Sequence, residues 1–291
     1  MQTMIFTNSK GKTMLFDYTG DIAITDIMGL SGVTADLYST KGYQQDGQTD
    51  AGQFLQPRSV SFNIRIKGRD MPDIYKNRGI AASFFNPKEK FTVIYSNEHA
   101  LKRFTCRVST PPEFSSQSGK ASMVQHGQVS LICDDPFLYD VLESEVKLSQ
   151  EEPAFSFPLY FPDEEGGKAF GTISNRIIIN NVGDVETPVR IRFAGGITNP
   201  TIINETADER ISVNQEIGAD VILEITTGYG NKRVWFIDPN GNKSNAFNYI
   251  DAHNSTFFNL AVGENVLAFY ADSGADTAAC YIYYSNRYLG V

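Results

Sequence analysis

The sequence predicts a mainly β chain of two domains with one short helix. Three observations carry that expectation. Run after run of residues alternates between apolar and polar, the signature of a half-buried strand. Clusters of Gly, Asn and Asp punctuate these runs at turn-like intervals. Only one stretch carries helix start and stop signals. A length of 291 residues suits two domains rather than one.

The clearest strand is Ser59–Gly68, SVSFNIRIKG. Val60, Phe62, Ile64 and Ile66 share one face, and Ser61, Asn63, Arg65 and Lys67 the other. Phe91–Tyr95, Leu101–Val108 and Met123–Cys133 read as further strands, with Gly127 a candidate bulge or break in the last. The helix begins at Asp70-Met71-Pro72-Asp73, a capping residue followed by an early proline. It runs through IYKNRGIAASFF, with Ile74, Arg78, Ala81 and Phe85 near one face. Asn86-Pro87 ends it, because a residue before proline disfavours helical backbone.

The second half is strand and turn throughout. Arg176–Asn181, Pro188–Phe193, Val221–Ile225, Arg233–Ile237, Asn265–Ala271 and Ala278–Tyr284 recur at the spacing of a sandwich. Thr201–Asn204 and Arg210–Val213 flank a polar turn and form a hairpin. Trp235, flanked by apolar residues, is expected in the core. Between the halves, Val141–Lys168 is acidic, proline-bearing and weakly periodic, and reads as a linker. The expected domains are 1–141 and 142–291.

Composition narrows the function classes. Nearly all of the net charge of −9 falls after Glu145. An acidic half repels phosphate backbones and anionic lipids, so neither nucleic acid nor a membrane surface is expected as a partner. No apolar run approaches the ~18 residues of a membrane span. No secretory leader is evident at the first residues, so folding in a cytosol is expected. Cys106, Cys133 and Cys280 lie in strand-like runs and read as buried reduced thiols.

Chemistry-bearing patterns are sparse. In VSLICDDPFLYD, Asp134 and Asp135 are neighbours at a strand end and point to opposite sides, so they do not make a facing carboxylate pair. Asp135 before Pro136 suits an Asx-type turn. His99, His126 and His253 show no ligand spacing, and no Cys-x-x-Cys occurs. Phosphate-cradling glycine motifs and a nucleophile elbow are absent. Glu151-Glu152 and Asp163-Glu164-Glu165 lack the fixed separation that glycosidase carboxylates need. The expectation is therefore no enzyme, no cofactor and no metal.

Several stretches together resemble a known family: GLSGVTADLY, DGQTDAGQFLQPRSVSFNIRIKG, YKNRGIAASFFNPKEKFTVIY, VSLICDDPFLYD, NVGDVETPVRIRFAGGITNPTIIN and LAVGENVLAFYADSGADTAACYIYYSNRYLGV. Their order and spacing resemble the distal tail proteins of long-tailed phages with non-contractile tails, prophage versions included. The resemblance implies a β-rich belt domain over 1–141 and an outward galectin-like antiparallel β-sandwich over 142–291. It also implies six copies closed into a ring that joins the tail tube to the tail-tip hub and, in some phages, carries receptor-binding proteins. The location implied is the virion tail tip, after assembly in the bacterial host cytoplasm. In that reading Asp135, Pro136 and Phe137 mark the domain corner.

A ring requires head-to-tail contacts that close. The polar segment Ser39–Phe54 is a candidate arm reaching a neighbour or the tube, with Gln44, Gln45, Asp46, Gln48, Asp50 and Gln53 as its contact residues. A carbohydrate-binding sandwich is the alternative, with Tyr281, Tyr283, Tyr284 and Tyr288 as raw material.

Overall fold

The computed structural model describes residues 2–114, 123–148, 150–153 and 171–291. The chain divides into two compact units, Met1–Val141 with Arg287–Val291, and Leu142–Asn286. The last five residues therefore belong to the first unit, not to the second as the sequence suggested.

The first unit is built on one antiparallel sheet. Its strand order is Thr13–Phe16, Thr3–Asn8, Lys90–Ser96, Leu101–Thr110, Val124–Cys133, Arg58–Lys67, Ile22–Met28. The alternation in Arg58–Lys67 places Val60, Phe62, Ile64 and Ile66 in the core, fully buried. Thr3–Asn8 and Arg58–Lys67 stand second and sixth in the order, yet the Phe6 and Phe62 rings lie 5.8 Å apart. The sheet is thus curled around an aromatic centre. Phe6 meets Phe16 and Phe85 edge-on at 5.5 Å, and Phe85 stacks on Phe16.

The helix Met71–Phe84 plugs this curl. Asp70 is its N-cap, accepting from the Asp73 amide at 2.8 Å. Its buried residues are Ile74, Asn77, Ala81 and Phe84, with Phe85 buried at the C-cap; of the expected face, Arg78 alone gives way, to Asn77. Asn77 tolerates burial because its amide donates to the Lys67 carbonyl at 2.8 Å.

Gly127 is neither a bulge nor a break: the ladder with Arg58–Lys67 runs unshifted through Ile64 and Gly127. A Cβ there would sit 2.8 Å from the Glu113 carbonyl oxygen and 3.0 Å from the Phe114 ring. Close approach of another backbone, not a change of register, is what requires glycine. The register shift falls instead between Val108 and Thr110.

The second unit is a sandwich of two antiparallel sheets. One follows the order Ser144–Lys147, Ala279–Tyr284, Thr187–Ala194, Ile222–Thr226, Arg233–Ile237, Lys243–Asn245. The other follows Arg176–Asn181, Gly263–Tyr270, Thr201–Asn204, Glu209–Ser212. Ile191, Phe193, Leu223, Ile225 and Ile282 of the first sheet meet Ile202, Ile211, Leu267 and Phe269 of the second.

The expected linker is partly structure. Ser144–Lys147 pairs with Ala279–Tyr284, and Gln150–Pro153 pairs with Gly171–Ser174. The acidic composition hid the first strand because Glu145 and Lys147 face solvent, and its partner lies far along the chain. Asp163, Glu164 and Glu165 lie outside the described residues.

Candidate functional site

Three features of the chain stand out: a buried arginine, an exposed hairpin and a polar sheet face. Arg58 opens its strand and is 2% exposed. Its guanidinium is surrounded by main-chain carbonyls. Nε donates to Pro136 at 2.7 Å, Nη1 to Gly29 at 2.9 Å and Gly32 at 3.1 Å, and Nη2 to Leu289 at 2.7 Å. Burial draws its pKa below the ordinary arginine value. The planar fork of five N–H donors suits such a cage, which a lysine's compact ammonium would not satisfy.

The cage gathers three distant pieces of chain. Gly29 and Gly32 belong to the root of a hairpin, Pro136 to the acid–proline–aromatic stretch, and Leu289 to the returning C-terminal segment. Gly29 has φ +90°, and a Cβ on it would collide with the Ser59 carbonyl. The Val291 amide donates to the Leu30 carbonyl at 3.2 Å, fastening the tail beside the same root.

Around Pro136 the two aspartates part. Asp134 pairs with Arg107 at 2.6 Å. Asp135 accepts from the Phe137 amide at 3.2 Å and from the Tyr139 hydroxyl at 2.6 Å. Burial and the Asp135 hydrogen bond both raise the Tyr139 pKa, so it stays a neutral donor. Arg287 lies over the Phe137 ring at 4.8 Å. One further strand, Leu138–Asp140, follows before the unit ends; it pairs with both Leu101–Thr110 and Arg287–Tyr288.

The expected polar arm is a β-hairpin. Ala35–Thr40 and Thr49–Leu55 pair with each other in a separate two-stranded sheet. Among the described residues, neither strand pairs with anything else. Gln45 accepts from the Gly42 amide at 2.8 Å and donates to Thr49 at 3.0 Å, Gln48 bonds Ser39, and Asp50 accepts from Gly52 at 3.0 Å. Gln44 shapes the turn with φ +58°. Asp46 and Gln53 are exposed. The prominent surface is instead apolar: Leu37 is 75% exposed, Tyr43 94% and Phe54 70%, with Tyr38 packed edge-on against Phe54. The polar residues expected to make the contact are thus outweighed by these apolar ones. The signal was present in ADLYST, where bulky side chains occur in a strand with no buried counterpart.

In the second unit, the solvent face of the first sheet is a cross-strand network. Glu224 is only 4% exposed and is held by Arg192 at 2.7 Å and Lys243 at 2.8 Å. Burial alone would raise its pKa, but the hydrogen bonds from Lys243 and Arg192 outweigh that and hold it below the ordinary value. Arg190 lies 4.1 Å from the Tyr283 ring centroid. Trp235 stands on this same face, not in the core. Register decides it: Val234 is buried, and Phe236 packs against the core, so Arg233 and Trp235 point away. The tyrosines diverge as well: Tyr284 packs on the sandwich core, whereas Tyr288 belongs to the first unit.

The three cysteines are free and buried. Among the described residues, no group of His, Cys, Asp or Glu is arranged to hold a metal ion. No helix of the described residues is long and apolar enough to cross a membrane.

Sequence-family profiles match both units. Residues 9–133 match the phage tail protein RIFT-related domain, and residues 182–288 match the siphovirus-type tail component, C-terminal domain. The chain belongs to the siphovirus-type distal tail proteins. Solved structures agree on the fold. This distal tail protein superimposes on the Dit protein (gp 19.1) of SPP1 with a TM-score of 0.69 at 13% identity, covering 99% of this chain and 100% of that one. That structure is described as a paradigm of the hub adsorption apparatus in phages infecting Gram-positive bacteria. Chains of the phage P2 baseplate in its activated conformation match with TM-scores of 0.54 with Ca and 0.52 with Sr, each at 12% identity. The first covers 100% of this chain and 99% of the other, the second 97% and 98%. No curated protein sequence matches. The distal tail protein is a structural component of a phage tail tip.

Proposed function

We propose that this distal tail protein closes into a homo-hexameric ring at the virion tail tip, joining the end of the tail tube to the tip hub. The hairpin is the proposed contact with a neighbouring protomer or with the tube. The observation that carries this is its combination of open β edges and exposed Leu37, Tyr43 and Phe54. A two-stranded ribbon is marginal alone in water, and its unpaired edges invite another chain. A second chain laid against it satisfies both the backbone and the apolar surface.

The work is mechanical, without bond chemistry. Asp135, Pro136 and Phe137 serve as the corner that leads the chain into Leu138–Asp140, the strand before it leaves the first unit, and are held through the Pro136 carbonyl by Arg58. The second unit faces outward and offers a platform for a receptor-binding protein.

Light scattering coupled to size exclusion, with negative-stain images of the main peak, tests the ring. Deleting Gln44–Gly52, or changing Leu37 and Phe54 together to serine, is expected to abolish ring formation or docking to purified tube while leaving each unit folded. Normal rings and normal docking from both variants would overturn the assignment of the arm.

A further inference from the structure

A cleft of about 200 Å³ opens on the second unit, lined by Lys232, Arg233, Trp235, Asn245, Phe247 and Gly230. It is smaller than the roughly 300–1,000 Å³ of pockets for drug-sized ligands, and fits one ring-sized group. Its chemistry is one-sided. None of its lining residues is acidic, and its polar side chains present donors. Arg233 uses Nε on Asn231 at 3.0 Å, and its Nη groups have no protein acceptor among the described residues. Lys232 has no carboxylate partner there either; it lies 5.7 Å from the Phe257 ring centroid. Asn245 accepts from the Phe247 amide at 2.9 Å, which fixes its carbonyl end and leaves Nδ2 to donate.

The aromatic part is equally ordered. Phe247 stacks on Phe257 at 5.8 Å with the rings 9° from parallel, which makes one wall stiff. Trp235 faces away from the core on its strand, with the Arg233 guanidinium 5.9 Å from its ring centroid. Glu224, opposite Trp235 in the ladder, is already neutralised by Arg192 and Lys243. The cations of the cleft are thus left for something else. This half of the chain is strongly acidic, so an uncompensated Lys–Arg pair beside the protein's single tryptophan is a local exception.

We propose that this cleft binds an acidic saccharide, one sugar ring stacked on Trp235 with its anionic group between Lys232 and Arg233. The C–H face of a pyranose suits the electron-rich indole, and the ring hydroxyls accept from Asn245. A neutral sugar would leave the two cations unanswered, and a free anion would leave the indole unused. The site is independent of ring formation and of the hairpin.

The protein holds one tryptophan, so its emission reports on this cleft alone when excitation excludes tyrosine. The full chain is titrated with galacturonate, glucose 6-phosphate, methyl glucoside and inorganic phosphate. A saturable change in Trp235 emission is expected with the two acidic sugars, and none over the same range with methyl glucoside or phosphate. Arg233→Gln and Lys232→Gln are each expected to weaken binding about tenfold, the equivalent of one charge-assisted hydrogen bond. Each unliganded variant should keep the parent's far-ultraviolet circular dichroism and unfolding midpoint, which establishes that the second unit is intact. No saturable change with either acidic sugar would overturn the proposal. So would an equal change with inorganic phosphate, or undiminished binding by both variants.

Discussion

Arg58 Nη2 donates to the Leu289 carbonyl at 2.7 Å, across 231 positions of sequence. The contact ties the end of the chain to the start of the strand Arg58–Lys67. Through the same guanidinium it reaches Gly29 and Gly32 at the hairpin root and Pro136 after the sheet's longest ladder. A buried guanidinium needs acceptors for its N–H groups, and four main-chain carbonyls supply them.

Replacing Arg58 should therefore cost more than a typical side-chain truncation. Arg58→Ala removes four hydrogen bonds from a charged donor, at about 1–3 kcal/mol each before water replaces them. A loss of about 3–5 kcal/mol is expected from urea unfolding of the first unit. Arg58→Lys should recover less than half of it, because one ammonium does not span the cage. A loss below ~1 kcal/mol would show the cage to be dispensable.

The C-terminal segment should act on the hairpin root. Removing Leu289–Val291 deletes one acceptor of Arg58 and the Val291 bond to Leu30. Hydrogen exchange at Gly29–Thr34 should accelerate by about tenfold or more, while exchange in the sandwich strands stays unchanged. Unaltered exchange at the root would mean that the tail carries no such role.

Glu224 gives a pH signature. Its folded pKa lies below the ordinary 4.5, so ionisation stabilises the fold. The stabilisation is complete above the unfolded value and is lost as pH falls through the folded one. Glu224→Gln should cost about 1–3 kcal/mol near neutrality. Below the folded pKa the parent is protonated too, so the difference should shrink. A gap that is constant with pH would contradict the linkage.

The curl of the first sheet depends on its aromatic centre. Phe6 touches Phe16, Phe62, Phe85 and Phe91, and is fully buried. Phe6→Ala should destabilise by about 3–5 kcal/mol in calorimetry or denaturant titration. Gly127→Ala is a second test: its Cβ meets the Glu113 carbonyl, and a cost of about 1–3 kcal/mol is expected.

Much of the β architecture was legible because a strand's pattern is local. Alternation in Arg58–Lys67 and Thr187–Ala194 shows which side chains face the core, whatever they pair with. The helix was legible for the same reason, since Asp70 and the proline at its first turn act on neighbouring amides. The strand Thr3–Asn8 carries the same local pattern, with Met4 and Phe6 buried at alternate positions.

What tertiary structure alone decided concerns partners far apart in sequence. Nothing near Arg58 indicates that it will meet Pro136 and Leu289. Nothing in RVWFI says which of its two faces is turned to the core; the buried positions of Val234 and Phe236 do. Ser144–Lys147 looks like linker until Ala279–Tyr284 lies beside it. Period and capping are set by interactions within a few residues, so the sequence by itself determined most of the elements and which of their residues share a face. Register, return of the chain and burial of a charge depend on packing across the whole unit, and those only the folded molecule settles.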